Sequence, residues 1–124
     1  MFYKFTKFLS SIFLLCLTSN SIVASEKATN ELWCQLNSGQ LEFRTKDGTY
    51  VDCLTDKYAV EAEYDFNWKE GIGQALHYSE TTGKKAAILF IKRKKSNKDY
   101  LSQLERVIVE FNLPIKIYIV EELS

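Results

Sequence analysis

Apolar and polar positions alternate along three short stretches in the first half of the chain, then fall into a helical period. The first periodic segment is helical. In "ATNELWCQLN" (residues 28–37), Thr29 or Asn30 can cap the start, and Leu32, Trp33 and Leu36 lie on one face. "SGQ" then breaks the helix. "LEFRTK" (41–46) alternates as a half-buried strand does. Asp47-Gly48 is a strong hairpin signal, "TYVDCLT" (49–55) is the return strand, and "KYAVEAE" (57–63) is a third strand beyond a tight turn at Asp56. From about 66 to 81 the period becomes helical, through Phe66, Ile72 and Leu76, and Gly83 ends it. Gly71 and Gly73 each cost that helix about 1 kcal/mol relative to Ala, which close packing on the sheet would justify. "AAILFI" (86–91) is continuously apolar, as in a strand covered on both faces. A charged loop follows, then a helical pattern over 100–112 and a last strand over 113–121. The predicted order is α-β-β-β-α-β-α-β, an α/β fold with a mixed sheet flanked by helices.

The start of the chain changes the picture of where it works. Lys4 and Lys7 precede the short apolar run "FLSSIFLLCLTS" (8–19), and "SIVAS" (21–25) ends in small residues, the pattern of a signal peptide. The run is shorter than the roughly 18–20 apolar residues of a membrane-spanning helix. An uncleaved anchor is the alternative. Lipidation at Cys16 is disfavoured, because Phe13, Leu14 and Leu15 precede it where small residues are expected. The expectation is a signal peptide over 1–24, one domain over 25–124, and a periplasmic or secreted product. Losing the leader removes two lysines and no acid, leaving 14 basic against 16 acidic residues, so nucleic acid would have to be met by a local basic patch. Cys34 and Cys53 remain as an even pair, compatible with one disulfide in an exported chain or with two buried thiols.

Few chemistries are open to these residues. His77 is the sole histidine, so neither a Ser-His-Asp arrangement nor a His-rich metal site is available, and no C-x-x-C or glycine-rich phosphate loop occurs. What stands out is the spacing of acids. Glu61 and Glu63 are two apart on a strand and share a face, and Asp52 lies on the preceding strand.

Four stretches, in order, resemble the PD-(D/E)XK nuclease-like superfamily, the fold of restriction endonucleases, RecB-type exonucleases and junction resolvases. "GQLE" (39–42) looks like its early Glu motif, "YVDCLT" (50–55) carries the Asp, "AVEAE" (59–63) looks like the E-x-K strand, and "QALHY" (74–78) fits the Q-x-x-x-Y helix of the RecB-like branch. The chain from Trp33 to Ile91 also resembles small exported or phage-associated proteins of that fold. The resemblance implies a restriction endonuclease-like core and Mg²⁺- or Mn²⁺-dependent hydrolysis of nucleic acid. It implies Glu42, Asp52 and Glu61 as metal ligands, Glu63 beside them, and Gln74 and Tyr78 facing the site. A cation held by a few carboxylates binds phosphate oxygens and activates water. The departure is Glu63, where the family pattern has Lys; Lys69 on the next helix is the nearest substitute, and an ordinary surface lysine otherwise. Lys84, Lys85, Lys92, Arg93, Lys94 and Lys95 form a basic run that could neutralise phosphates, or simply keep a loop and a strand end solvated.

Two further readings stay open. The fold persists while catalysis is lost, leaving a module that binds nucleic acid or protein, or the chain is a small disulfide-stapled exported protein whose acids are only surface. The expected geometry separates them: Glu42, Asp52 and Glu61 should converge, with Glu63 and Gln74 close by.

Overall fold

The structure, a computed structural model, describes residues 21–123. The apolar run over 8–19 and Cys16, on which the leader reading rests, lie outside the described residues.

Helix α1 (Ser21–Leu36) leads into the hairpin of β1 (Gln40–Arg44) and β2 (Tyr50–Leu54). Then follow β3 (Tyr58–Tyr64), a single 3₁₀ turn (Asp65–Asn67), α2 (Trp68–Thr82), β4 (Lys85–Lys92), α3 (Tyr100–Glu110) and β5 (Ile115–Glu121). The element order is the predicted one. The differences lie at the boundaries: α1 begins at Ser21 rather than near residue 28, and α2 starts only after the 3₁₀ turn.

The five strands form one mixed sheet in the order β1-β2-β3-β4-β5. The first two pairings are antiparallel and the last two parallel. The hairpin turn is closed by Asp47, whose carboxylate accepts from the hydroxyls of Thr45 and Thr49, and by Gly48 at φ 87°, a conformation glycine adopts freely. After β3 each new strand is added on the same side. Right-handed crossovers that step in one direction place their helices on one face.

Two apolar layers result. On one face Cys34, Cys53, Val60, Ala62, Ala87, Leu89 and Ile91 are buried, with Trp33, Tyr58 and Tyr118 packed against them. On the other, Ile88, Phe90 and Ile115 meet Trp68, Ala75 and Leu104 from α2 and α3. Strand β4 is buried from Ala86 to Ile91, as its unbroken apolar run predicts. The Cys34–Cys53 disulfide ties α1 to β2 at a Cα separation of 5.8 Å, closing the choice the sequence left between a bridge and free thiols.

Candidate functional site

The sheet opens beside its own centre. Strands β2 and β3 pair through Cys53–Val60 and Leu54–Ala59. The next step of that register sets Asp52 opposite Glu61. There the ladder bond is replaced by a side chain: Asp52 Oδ2 accepts from the N–H of Ala62 at 2.8 Å. The carbonyl of Asp52 accepts instead from the side-chain amide of Asn30 on α1, at 3.2 Å. Two residues further along the same edge of β3, the N–H of Tyr64 is taken by the Glu26 carboxylate. Two carboxylates thus cap backbone donors that β2 leaves behind.

Alternation along β3 sends Val60, Ala62 and Tyr64 into the α1-side core, so Glu61 and Glu63 point to the α2 side. Both are buried, 5% and 8% exposed. Gly71 makes room for Glu63: a Cβ there would lie 3.2 Å from Glu63 Cγ. Gly73 has nothing within 4 Å of such a Cβ, so the close packing expected of both glycines holds for Gly71 alone.

The carboxyls of Asp52 and Glu63 each lie close enough to that of Glu61 to shift its titration. Burial first, and the neighbouring charge of Asp52 next, push the Glu61 carboxyl far above its ordinary range. Glu63 is pushed up to about 7 by burial and then by the charge of Glu26. Asp52 and Glu26 are raised as well, each chiefly by burial. On α2, Tyr78 is raised to about 12 by burial and then by the charges of Glu61 and Asp52, which places its hydroxyl in the field of the acids.

The structure brings together Asp52, Glu61 and Glu63 and turns Tyr78 toward them. Glu42 stands close enough to Asp52 to add repulsion, but it is exposed and its backbone is left-handed, at φ 48°. Gln74 shares the Tyr78 face of α2 by its i, i+4 spacing. Lys69 is turned elsewhere, its ammonium 5.6 Å from the Trp68 ring centroid in the groove between α2 and α3. Glu26 is the member that sequence reasoning missed. It sits beside the expected leader boundary, and no motif marks it.

The basic run does not form one patch. Lys84 and Lys85 are at the start of β4 and Lys92 to Lys95 at or beyond its end, so the eight-residue strand holds the two groups about 23 Å apart. Arg93 is committed to structure: its Nε donates to the buried Asp65 at 2.7 Å, and its guanidinium lies 4.3 Å from the Phe66 centroid. His77 pairs with the hairpin acid Asp47 at 2.6 Å and takes no part in the acid cluster.

The donor set can be tested against Mg²⁺. Glu61 Oε2 is buried without a hydrogen-bond partner, and such an oxygen calls for a cation or a water. Among the described residues, no three His, Cys, Asp or Glu side chains are arranged to hold a metal by themselves. The residues therefore fit a hydrated Mg²⁺, which takes one or two carboxylates and keeps several waters, and do not fit an all-protein cage.

No protein-family model and no solved structure matches the chain. Over 80 residues, 64% of its length, it is 38% identical to a protein of Acanthamoeba polyphaga mimivirus described as KilA-N domain-containing. The matched stretch is 22% of that viral protein's length, so the description belongs to a protein that extends far beyond the shared part.

Proposed function

We propose that the chain is a restriction endonuclease-like domain that acts on nucleic acid and uses a divalent cation at Asp52 and Glu61 to engage a phosphodiester. One observation carries this reading: Glu61 is 5% exposed, keeps one carboxyl oxygen without a partner, and is driven against two other acids. Packing alone gives no reason to gather buried acids; their mutual repulsion costs stability. When bound, Mg²⁺ or Mn²⁺ would polarise the phosphate and lower the pKa of a bound water. Asp52 would keep one oxygen on the Ala62 N–H, which fixes the carboxylate, and offer the other. Glu61 would offer its free Oε2. Glu63, raised to about 7 and so about half protonated at neutral pH, can give or take a proton beside Glu61. Tyr78 presents a neutral hydroxyl as donor to a phosphate oxygen. The exported, periplasmic or secreted location remains part of the proposal through the leader-like residues 1–24.

A specific observation favours a second reading. The family lysine is absent, and Lys69 faces the α2–α3 groove instead of the acids. A site with acids and no cationic side chain suits phosphate binding through a metal better than stabilisation of an attacking hydroxide. In that reading the domain binds nucleic acid, or a protein, without cutting it.

Titration calorimetry with Mn²⁺ and Mg²⁺, joined to cleavage assays on labelled single- and double-stranded DNA and RNA, tests both. Binding that is lost in Asp52→Asn and Glu61→Gln, with metal-dependent cleavage lost in parallel, supports the hydrolase. Binding without cleavage selects the non-cutting module. No binding of either cation overturns the cation site.

A further inference from the structure

Around the starts of the parallel strands, on the side away from the acids, lies a surface that the basic run marks only in part, through Lys84 and Lys85. Two open grooves there, of about 640 and 330 Å³, share Tyr58 and Lys116. Lys84 and Lys85 line the first, and Lys57 lines the second with Trp33 and Tyr118. Four lysines therefore meet around one acid, Asp56, whose backbone carbonyl already takes the Lys84 ammonium at 2.7 Å.

The rings organise the charge. Lys116 Nζ is 5.2 Å from the Tyr58 centroid and 4.7 Å from that of Tyr118. Tyr118 in turn is 4.8 Å from Trp33. A lysine held between two rings has already given up much of its side-chain freedom, so an anion that meets it loses less entropy than one that must fix a free lysine. The β5 alternation that puts Lys116 and Tyr118 on one face also puts them on the α1 side, away from Glu61 and Glu63. Along β3, Tyr58 is three residues from Glu61, or about 10 Å.

We infer that this surface binds single-stranded nucleic acid. Phosphates meet Lys57, Lys84, Lys85 and Lys116, and a base packs against the partly exposed Trp33–Tyr118 pair. Lysines spaced across two grooves suit a flexible polyanion, and rings at the rim suit an unstacked base, which a duplex does not offer. The inference rests on the proposed function for its class of ligand, but not on any cation at the acids.

The test is fluorescence anisotropy of a labelled oligothymidylate of about 12 nucleotides, in EDTA so that nothing is cut, across a salt series. The wild-type protein is expected to bind the single strand more tightly than a duplex or an abasic strand of equal charge. Its log–log salt slope should drop by about 0.7 for each phosphate contact removed. Lys85→Glu/Lys116→Glu should weaken binding at least tenfold. Lys116→Met, which keeps the packing over the rings and removes the charge, should weaken it less, and circular dichroism checks that both variants are folded. Because the assay is run in EDTA, this binding needs no cation at the acids, so a failed cation site leaves this surface standing. The inference is overturned by absence of binding at low salt, by affinity that ignores the lysine changes, or by equal affinity for polyglutamate, duplex or abasic strand.

Discussion

Single atoms decide how much this fold gives up for its site. The Glu61 carboxyl has lost water, faces Asp52 and Glu63, and keeps one oxygen without a hydrogen bond. Glu61→Gln removes the cost of taking up a proton on folding, while leaving a side chain of the same shape that can donate to Asp52. It is therefore expected to raise the melting temperature of the cation-free protein at pH 8. A gain of about 1 kcal/mol would correspond to roughly 4–8 °C in a domain of this size. The same change should abolish Mn²⁺ binding, the exchange of stability for function expected of a built site. Differential scanning calorimetry with and without Mn²⁺ reads both effects. Gly39 makes the opposite point, since it is pure packing. A Cβ there would run into both sulfurs of the Cys34–Cys53 bridge. Gly39→Ala should destabilise the oxidised protein by about 1–3 kcal/mol, the usual cost of overpacking. The loss should shrink after reduction, when the sulfurs can part.

At the scale of elements, α2 distinguishes two glycines that the sequence presents alike. Gly73 is exposed and open, so Gly73→Ala should stabilise by about 1 kcal/mol through helix propensity alone. Gly71→Ala gains the same propensity but presses on Glu63, which is buried beside Glu61. Its net effect on urea midpoints should be near zero or negative, and cation affinity should fall. The sequence could not separate them, because helical period fixes a face but not the depth of the neighbour beneath it. Element order was legible for a related reason. Alternation in 41–46 and 57–63, Asp47-Gly48, and the unbroken run over 86–91 are local signals of local structure. The acid meeting at Asp52, Glu61 and Glu63 was also readable, since register follows from the short turn between β2 and β3. Glu26 was not, because it reaches the site from a helix far away in sequence. Nor were the two halves of the basic run, which look contiguous until eight residues of extended chain hold them apart. Lys57 and Lys116 escaped for the converse reason: isolated in sequence, they are gathered by parallel pairing.

For the whole molecule, the acid cluster ties stability to pH and to cations. Folding raises the Glu63 carboxyl from 4.5 to about 7, and raises Glu61, Asp52 and Glu26 in the same direction. The folded chain thus holds protons that the unfolded chain releases. Their contribution to stability is complete below the unfolded values, near pH 4, and is lost as pH climbs through the folded ones. For Glu63 the window runs from about pH 4.5 to 7, and Glu61 carries the decline above it. Asp47 opposes this weakly. The Thr45 and Thr49 hydroxyls and the Thr49 N–H hold its exposed carboxyl well below the usual range, so its share is lost only in strong acid. The expected profile of the metal-free protein is a melting temperature that peaks in mild acid and falls toward pH 8. Millimolar Mg²⁺ or Mn²⁺ should flatten that fall, since a bound cation replaces the protons as the partner of the carboxylates. Glu61→Gln should flatten it without any cation, and should make the added cation ineffective. A melting temperature that rises from pH 5 to 8 in EDTA would mean that the acids do not hold protons in the fold. A fall that Mg²⁺ and Mn²⁺ both leave unchanged would mean that they hold protons and nothing else.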